Sequence, residues 1–180
     1  MRQAGYQHAT KTTLLATQMD TTLTACLMAM LALANGAPII AHRVLGTRLA
    51  APMDMGLTLA DGSRVLGDSK TWRGVVTAVL TCTLAAPLLG FSPLTGAVLA
   101  AAAMAGDATT SFIKRRLGLA AGHAVPLLDQ ALEAAAPLLV LSGQLALTPW
   151  DVTRLVLAFT ALDLLLSPVL HRLGIRRRPH

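Results

Sequence analysis

The chain has 180 residues, of which 54% are hydrophobic and only 13% are charged, and its formal net charge is +6. A mean hydropathy of +0.59 is too high for an ordinary soluble domain of this size, so the composition indicates a polytopic membrane protein. The basic residues lie at the ends of apolar runs and are not interleaved with aromatic residues, which argues against nucleic-acid binding. Cys26 and Cys82 show no metal-ligand spacing and are predicted to be packing residues.

Five apolar runs, each close to the roughly 20 residues that cross a hydrocarbon core, predict five transmembrane helices at 21–41, 74–91, 93–113, 124–147 and 150–170. The expected fold is therefore all-α, with one five-helix membrane domain at 21–172 that includes a long loop at 42–73. Residues 1–20 form a polar N-terminal segment. The first apolar run begins only after this segment, which is too late for a removable signal peptide. Residues 173–180 form a basic tail.

Lysine and arginine placement predicts the orientation. All but three of the 15 follow the first, third or fifth predicted span, the exceptions being Arg2, Lys11 and Arg154. The positive-inside rule then places the N-terminus outside and the C-terminus in the cytoplasm. We therefore expect a multi-pass protein of the cell (plasma or inner) membrane whose polar motifs meet at the cytoplasmic face.

The first span contains a break signal near its cytoplasmic end, Asn35-Gly36-Ala37-Pro38. We expect this stretch to interrupt the helix, either freeing backbone groups to line a polar cavity or producing a plain kink. The loop at 42–73 follows, with turn signals at 52–56 and 61–64. A loop of this length with specific Gly, Asp, Lys and Trp content is predicted to be functional.

The third span ends in the most informative pattern of the chain. Asp107, Ser111 and Lys114 share one face at helical spacing, so that a carboxylate, a hydroxyl and a cation point towards one aqueous edge. This combination is typical of a site for a divalent metal that carries phosphates. The alternative is that the basic residues 114–116 only mark the end of a transmembrane helix. Asp107 favours a functional role, because an ionisable group at membrane depth is costly.

Two further carboxylates, Asp129 and Glu133, lie one turn apart at the start of the fourth span. Together with Asp107 they are predicted to hold one or two Mg²⁺ ions. The alternative is that they pair with basic residues of neighbouring helices. Asp163 in the fifth span is a lone acid for which the sequence names no partner.

Taken in order, residues 34–38, 53–56, 61–74, 106–116 and 128–130 resemble the CDP-archaeol synthase family, which is related to the membrane phosphatidate cytidylyltransferases. The most specific pieces are Lys70-Thr71-Trp72-Arg73-Gly74 and Ser111-Phe112-Ile113-Lys114-Arg115-Arg116. The resemblance implies a five-helix enzyme that joins CTP to a phosphorylated glycerolipid with Mg²⁺, giving a CDP-lipid and pyrophosphate.

The same resemblance implies roles for individual residues. Asp107 and Asp129 would be metal carboxylates, joined by Glu133, while Lys114 and Arg115 would contact phosphate. The expected substrate and nucleotide contacts are Asn35, Asp54, Asp61, Lys70, Arg73, Ser111, Lys114 and Arg115, of which Lys70, Lys114 and Arg115 are the expected catalytic cations. Membrane lipids are further partners, and nothing in the sequence sets the oligomeric state.

The chain departs from the family pattern at two places. The family tends to carry an aspartate where this chain has Glu133, which lengthens the reach by one methylene, and its C-terminal Pro-Trp is here Pro179-His180. Two other functions compete with the cytidylyltransferase. A transporter or membrane subunit would need acids through the full membrane depth, and a CDP-alcohol phosphotransferase would need an Asp-Gly-x-x-Ala-Arg run that Asp61-Gly62-Ser63-Arg64 does not supply.

Overall fold

The computed structural model describes residues 21–121, 123 and 125–172, and within them it is all-helical. Its five α-helices are α1 (Thr21–Leu45), α2 (Trp72–Ala85), α3 (Pro93–Arg116), α4 (Pro126–Leu141) and α5 (Pro149–Arg172). The predicted N-terminal segment at 1–20 and basic tail at 173–180 lie outside the described residues. Among the described residues, three helical stretches are long and apolar enough to cross a membrane, namely Thr21–Leu45, Trp72–Leu89 and Pro93–Arg116.

Helix α3 lies at the centre of the bundle, in contact with α1, α2 and α4, while α5 packs mainly on α4. Small side chains on α3, including Ala100 and Ala103, are fully buried and meet leucines such as Leu31 and Leu138 of the neighbouring helices. Small residues let helix backbones approach closely, which is how membrane helices gain van der Waals contact. Because only short segments join α2 to α3 and α4 to α5, the helices of each pair are antiparallel neighbours.

Local chemistry sets where the helices begin and end. Thr71 caps α2 by accepting a hydrogen bond from the Gly74 amide, and Ser92 caps α3 in the same way with Thr95. After Ala85 the chain tightens into a 3₁₀ turn, Ala86–Leu89, because Pro87 lacks the amide that would continue the α-helix.

The structure corrects two expectations about the helices. The predicted break at Asn35 to Pro38 is wrong, since α1 continues through Pro38 to Leu45, whereas the alternative of a plain kink stays a prediction. The fourth span was predicted to reach residue 147, but α4 has 16 residues and ends at Leu141. The chain then turns at Gly143 and through Ala146, whose φ is +50°.

The loop between α1 and α2 is an ordered excursion without regular strands. Isolated antiparallel bridges join Pro52 with Thr71 and Thr58 with Arg64. The Trp72 amide donates to the Ala51 carbonyl over 3.0 Å, which brings the start of the loop back to the start of α2. The loop is thus ordered, and it lies over the end of the bundle where α3 ends and α4 begins.

Candidate active site

Two buried lysine–carboxylate pairs form the centre of the candidate site. Lys70, just before α2, places its Nζ 2.5 Å from Oδ1 of Asp107 on α3. Lys114, two turns further along α3, donates from Nζ to both oxygens of Asp129 on α4, at 2.7 and 2.9 Å. The side chains are all at most one fifth exposed. The structure therefore brings four predicted site residues together from three parts of the chain.

Glu133 adds a third carboxylate to this cluster. It lies one turn along α4 from Asp129, in hydrogen-bonding contact with the carboxyl group of Asp107 and within electrostatic reach of Lys70 and Asp129. Among the ion pairs of the described residues none includes Glu133. Three carboxyl groups thus face two lysines, and the hydrogen bond between Glu133 and Asp107 requires a proton on one of these two acids.

Gly106 explains why Asp107 and Glu133 come so close. Its Cα hydrogen faces the backbone carbonyl of Leu132 on α4, and a Cβ atom at this position would clash with that carbonyl. Because Gly106 has no side chain, α3 and α4 approach each other closely at Gly106 and Leu132. These two residues immediately precede Asp107 and Glu133. The spacing of the two carboxylates is therefore set by helix packing.

Asp129 also has a local role at the start of α4. Its Oδ2 accepts from the amide of Val125, the N-cap residue, over 3.0 Å. A carboxylate in the first turn satisfies an otherwise unpaired amide and interacts favourably with the helix dipole. These bonds hold the carboxylate towards Lys114.

Arg115 is a buried cation without a carboxylate partner among the ion pairs of the described part of the chain. Its Nη2 donates to the Ala120 carbonyl over 2.6 Å, and its Nε has no hydrogen-bond partner. Gly67 lies beside it with φ +91°, so close that a Cβ there would come within 3.3 Å of Nη1. A buried guanidinium with unused donors is suited to bind an anion such as a phosphate.

Asp54 organises the loop over the cluster. Its carboxylate accepts from Nη2 and Nε of Arg64 at 2.5 and 3.2 Å and from the amides of Gly56, Leu66 and Gly67. The Arg64 guanidinium, followed by these amides, holds the pKa of Asp54 well below its ordinary value although burial opposes the shift. Both oxygens are used inside the loop, so the predicted nucleotide contact by Asp54 remains a prediction.

Arg116 fastens the tip of this loop to the end of α3. Its Nη1 lies 3.0 Å from Oδ2 of Asp61, and its Nη2 donates to Oγ of Ser63 and to the Arg64 carbonyl, each over 2.7 Å. Hydrogen bonds from Ser63, and the charge of Arg116, lower the pKa of Asp61. Asp61, predicted as a substrate contact, thus helps to join the loop to α3, and Arg116 was predicted only as a member of the basic cluster.

The remaining predicted contacts lie in other surroundings. Asn35 donates to the Leu31 carbonyl one turn back in α1, over 3.1 Å. Ser111 is buried on α3. Arg73 donates to the carbonyls of Gly46 and Arg48 and contacts Nδ1 of His42, so that it caps the end of α1. The substrate contacts of these residues stay predictions.

Asp163, the acid in the fifth predicted span, has a hydrogen-bond partner. Gln130, between Asp129 and Glu133 in sequence, donates from Nε2 to Oδ2 of Asp163 over 2.7 Å and joins α4 to α5. The Gln130 Oε1 and the Oγ1 of Thr160 are buried without hydrogen-bond partners. The sequence contained both residues but no signal for their pairing.

Within the described residues, no group of three or more His, Cys, Asp or Glu side chains has the geometry of a protein-only metal site. The donor chemistry nevertheless fits a hard divalent cation, because Asp107 and Glu133 present adjacent carboxylates. Mg²⁺ is commonly bound by one or two carboxylates plus substrate phosphates and water. With Lys70, Lys114 and Arg115 nearby, the arrangement can bind a phosphate group together with such a cation.

Comparison with known proteins gives a consistent result. The family model described as CarS-like, CDP-archaeol synthase, matches residues 23–93 and 87–180. A CDP-archaeol synthase from Thermofilum pendens is 36% identical over 78% of this chain and 68% of its own length. One from Methanosphaerula palustris is 38% identical over 67% of this chain and 80% of its own.

A solved structure, described as an intramembrane enzyme for archaeal membrane lipid biosynthesis, is similar to this chain with a TM-score of 0.63 and 33% sequence identity. The similarity covers 75% of this chain and 89% of that one. Sequence and fold therefore point to the same group of proteins.

Proposed function

The chain belongs to the CDP-archaeol synthase family, and on this basis we propose that it transfers the cytidylyl group of CTP to a phosphorylated membrane lipid. The products are a CDP-lipid and pyrophosphate. The observation that carries this assignment is the cluster of Asp107, Glu133, Asp129, Lys70 and Lys114 at one end of the bundle. It combines cation-binding and phosphate-binding groups at one place, as a nucleotidyl transfer between two charged substrates requires.

The proposed cofactor is Mg²⁺, held by Asp107 and Glu133 with Asp129 close by. When bound, the ion neutralises phosphate charge and polarises the phosphoryl oxygens of the nucleotide. The surplus of carboxyl groups over lysines supports this assignment, because a bound cation can take the place of the proton that Asp107 and Glu133 share.

In the proposed mechanism, an oxygen of the lipid phosphate attacks the α-phosphorus of CTP in line. A new P–O bond forms as the bond to the leaving pyrophosphate breaks. Lys70 and Lys114 can exchange their carboxylate partners for phosphate oxygens, and Arg115 offers donors that are unused in this structure. Catalysis then consists of positioning and charge neutralisation. A phosphate monoester is already nucleophilic near neutral pH, so we assign no general base.

We place all five helices across the cell membrane, with the N-terminus outside, the C-terminus in the cytoplasm and the cluster at the cytoplasmic face. The basic residues between α1 and α2 and at the end of α3 support this orientation. The lipid chains would remain in the bilayer while the headgroup meets CTP from the cytoplasm. Asn35, Asp54, Asp61, Arg73 and Ser111 complete the proposed substrate-contacting set.

The assignment is tested by CTP-dependent pyrophosphate release from the purified protein in detergent, with Mg²⁺ and a panel of phosphorylated lipids. Release is expected to need both lipid and Mg²⁺ and to be lost in Asp107→Asn and Asp129→Asn. Asp151→Asn is the matched control, since Asp151 pairs with Arg154 at the start of α5, away from the cluster. No release with any lipid, together with no CTP binding, would rule out the proposed reaction.

A further inference from the structure

Three large apolar side chains of the loop between α1 and α2 are highly exposed. Leu49 is 76% exposed, Met55 87% and Leu57 62%. Scattered single leucines on a surface need no explanation, whereas a group of them on one short segment indicates an interaction surface. We call these three residues the apolar loop ridge.

The apolar loop ridge continues the exposed apolar faces of two membrane helices. On α2, Trp72, Val76, Leu80 and Leu84 are exposed at four-residue spacing, and Ile40 and Val44 are exposed in the same way near the end of α1. Because the helical stretch Trp72–Leu89 is long and apolar enough to cross a membrane, we expect this stripe to face lipid. The Trp72 amide donates to the Ala51 carbonyl, and Leu49 is two residues before Ala51 in the chain. Leu49 therefore lies close to the end of the lipid-facing stripe.

The ridge is held rigidly outward. Met55 and Leu57 follow Asp54, whose buried carboxylate is fixed by Arg64 and three backbone amides. Leu49 and Met55 have positive φ values, +55° and +47°, which non-glycine residues rarely adopt. The fold thus keeps two disfavoured backbone conformations at the very positions where large apolar side chains point away from the protein.

The surrounding charge agrees with a lipid surface. Arg43 and Arg48 are exposed at the end of α1, just before the ridge. Basic side chains beside apolar and tryptophan residues are typical of segments that lie at the headgroup level of a bilayer, where the cations meet lipid phosphates. A protein partner would not require the ridge to be continuous with the lipid-facing stripe.

We propose that Leu49, Met55 and Leu57 insert into the headgroup–acyl boundary of the membrane, beside Trp72, and anchor the loop to the bilayer surface. This anchoring brings Lys70, at the other end of the same loop, to the level at which a lipid phosphate lies. The proposal requires a membrane-embedded chain but does not depend on the reaction.

The test places a single tryptophan in the loop of the full chain in lipid vesicles. Trp72→Phe and Trp150→Phe remove the native tryptophans, and Leu49→Trp, Met55→Trp and Leu57→Trp then report one position each. Ser69→Trp is the control, because Ser69 is an exposed polar residue of the same loop. Fluorescence quenching is measured with lipids brominated near the headgroup end of the acyl chain and with aqueous acrylamide.

The expected result is stronger quenching by brominated lipid than by acrylamide at 49, 55 and 57, with the reverse order at 69. Quenching at the ridge that matches the control would overturn the proposal. A ridge tryptophan shielded from both quenchers would also overturn it and would indicate a second copy of the chain as the occupant. Three independent positions keep the test decisive if one variant fails to fold. Because no step depends on turnover, its failure is distinguishable from failure of the proposed reaction.

Discussion

At the scale of single residues, the balance of charge around Asp107 decides what the site can bind. Lys70 and Lys114 neutralise Asp107 and Asp129, while Glu133 is left with a hydrogen bond to another acid. Burying an uncompensated charge is costly, so the two acids share a proton unless a cation from outside the chain binds here in its place. Glu133 is therefore the most informative residue for the metal.

Glu133→Gln is expected to raise the Mg²⁺ concentration needed for activity and to lower kcat by about 10²–10³-fold, the scale for removing one preorganised electrostatic group. Glu133→Asp keeps the charge with one methylene less and is expected to retain most activity, as the family's aspartate implies. Initial rates measured against Mg²⁺ concentration test both. An unchanged Mg²⁺ dependence in Glu133→Gln would remove Glu133 from the metal site.

Part of the candidate site was predictable because helical spacing alone fixes which side chains share a face. Asp107 with Lys114 on α3, and Asp129 with Glu133 on α4, were selected in this way, and the structure joins the two helices through the pair Lys114–Asp129 and the contact of Glu133 with Asp107. Arg73 shows the limit of the method. An arginine that binds phosphate and one that caps a helix through the carbonyls of Gly46 and Arg48 look alike in sequence.

At the scale of elements, the approach of α3 to α4 sets the geometry of the cluster. Gly106→Ala would drive a methyl group into the Leu132 carbonyl and force the two helices apart. Overpacking of this kind typically costs about 1–3 kcal/mol. We expect a lower melting temperature and a loss of activity larger than the loss of folded protein, because Asp107 and Glu133 separate. Thermal unfolding and specific activity of the folded fraction measure the two effects.

Gly143→Ala serves as the control for this variant, because no atom lies within 4 Å of the position that its Cβ would occupy. It is expected to leave both quantities nearly unchanged. If Gly106→Ala behaved like Gly143→Ala, close packing of α3 on α4 would not be what positions the carboxylates.

The loop over the cluster depends on Asp54 and should loosen in acid. Because the folded pKa of Asp54 lies below its ordinary value of 3.8, ionised Asp54 stabilises the fold above that pH, and this contribution is lost as pH falls towards the folded pKa. Asp54→Asn removes charged hydrogen bonds with Arg64, worth about 1.5–3 kcal/mol. We expect its melting temperature to lie below that of the parent protein at neutral pH and the difference to shrink in acid.

Asp68→Asn is the matched control for Asp54→Asn. Asp68 pairs with the same arginine at 3.0 Å, but its side chain is 81% exposed. Exposed ion pairs contribute only about 0–1 kcal/mol, so this variant should melt close to the parent protein. Equal effects of the two substitutions would show that Asp54 does not organise the loop.

At the scale of the whole molecule, the all-helical membrane fold followed from composition and hydropathy, whereas the contacts between distant segments did not. The pair Gln130–Asp163 joins residues 33 positions apart and depends on how α5 packs on α4. Likewise, α4 ends at Leu141 because the chain turns at Ser142 and Gly143, and the apolar composition of residues 124–147 does not reveal this turn. Long-range pairing requires the three-dimensional arrangement because no local periodicity encodes it.

The distribution of charge over the whole chain predicts on which side of the membrane the cluster lies. The loop with Ser69 and the turn with Gly143 are at opposite ends of the bundle, since α4 runs from the cluster to that turn. In a Cys26→Ala background, where the remaining Cys82 is fully buried, Ser69→Cys and Gly143→Cys provide one accessible thiol each. A membrane-impermeant maleimide is expected to modify Ser69→Cys only in inverted vesicles and Gly143→Cys only in intact spheroplasts. The opposite pattern would place the cluster outside, where CTP is not supplied, and would contradict both the positive-inside assignment and the proposed reaction.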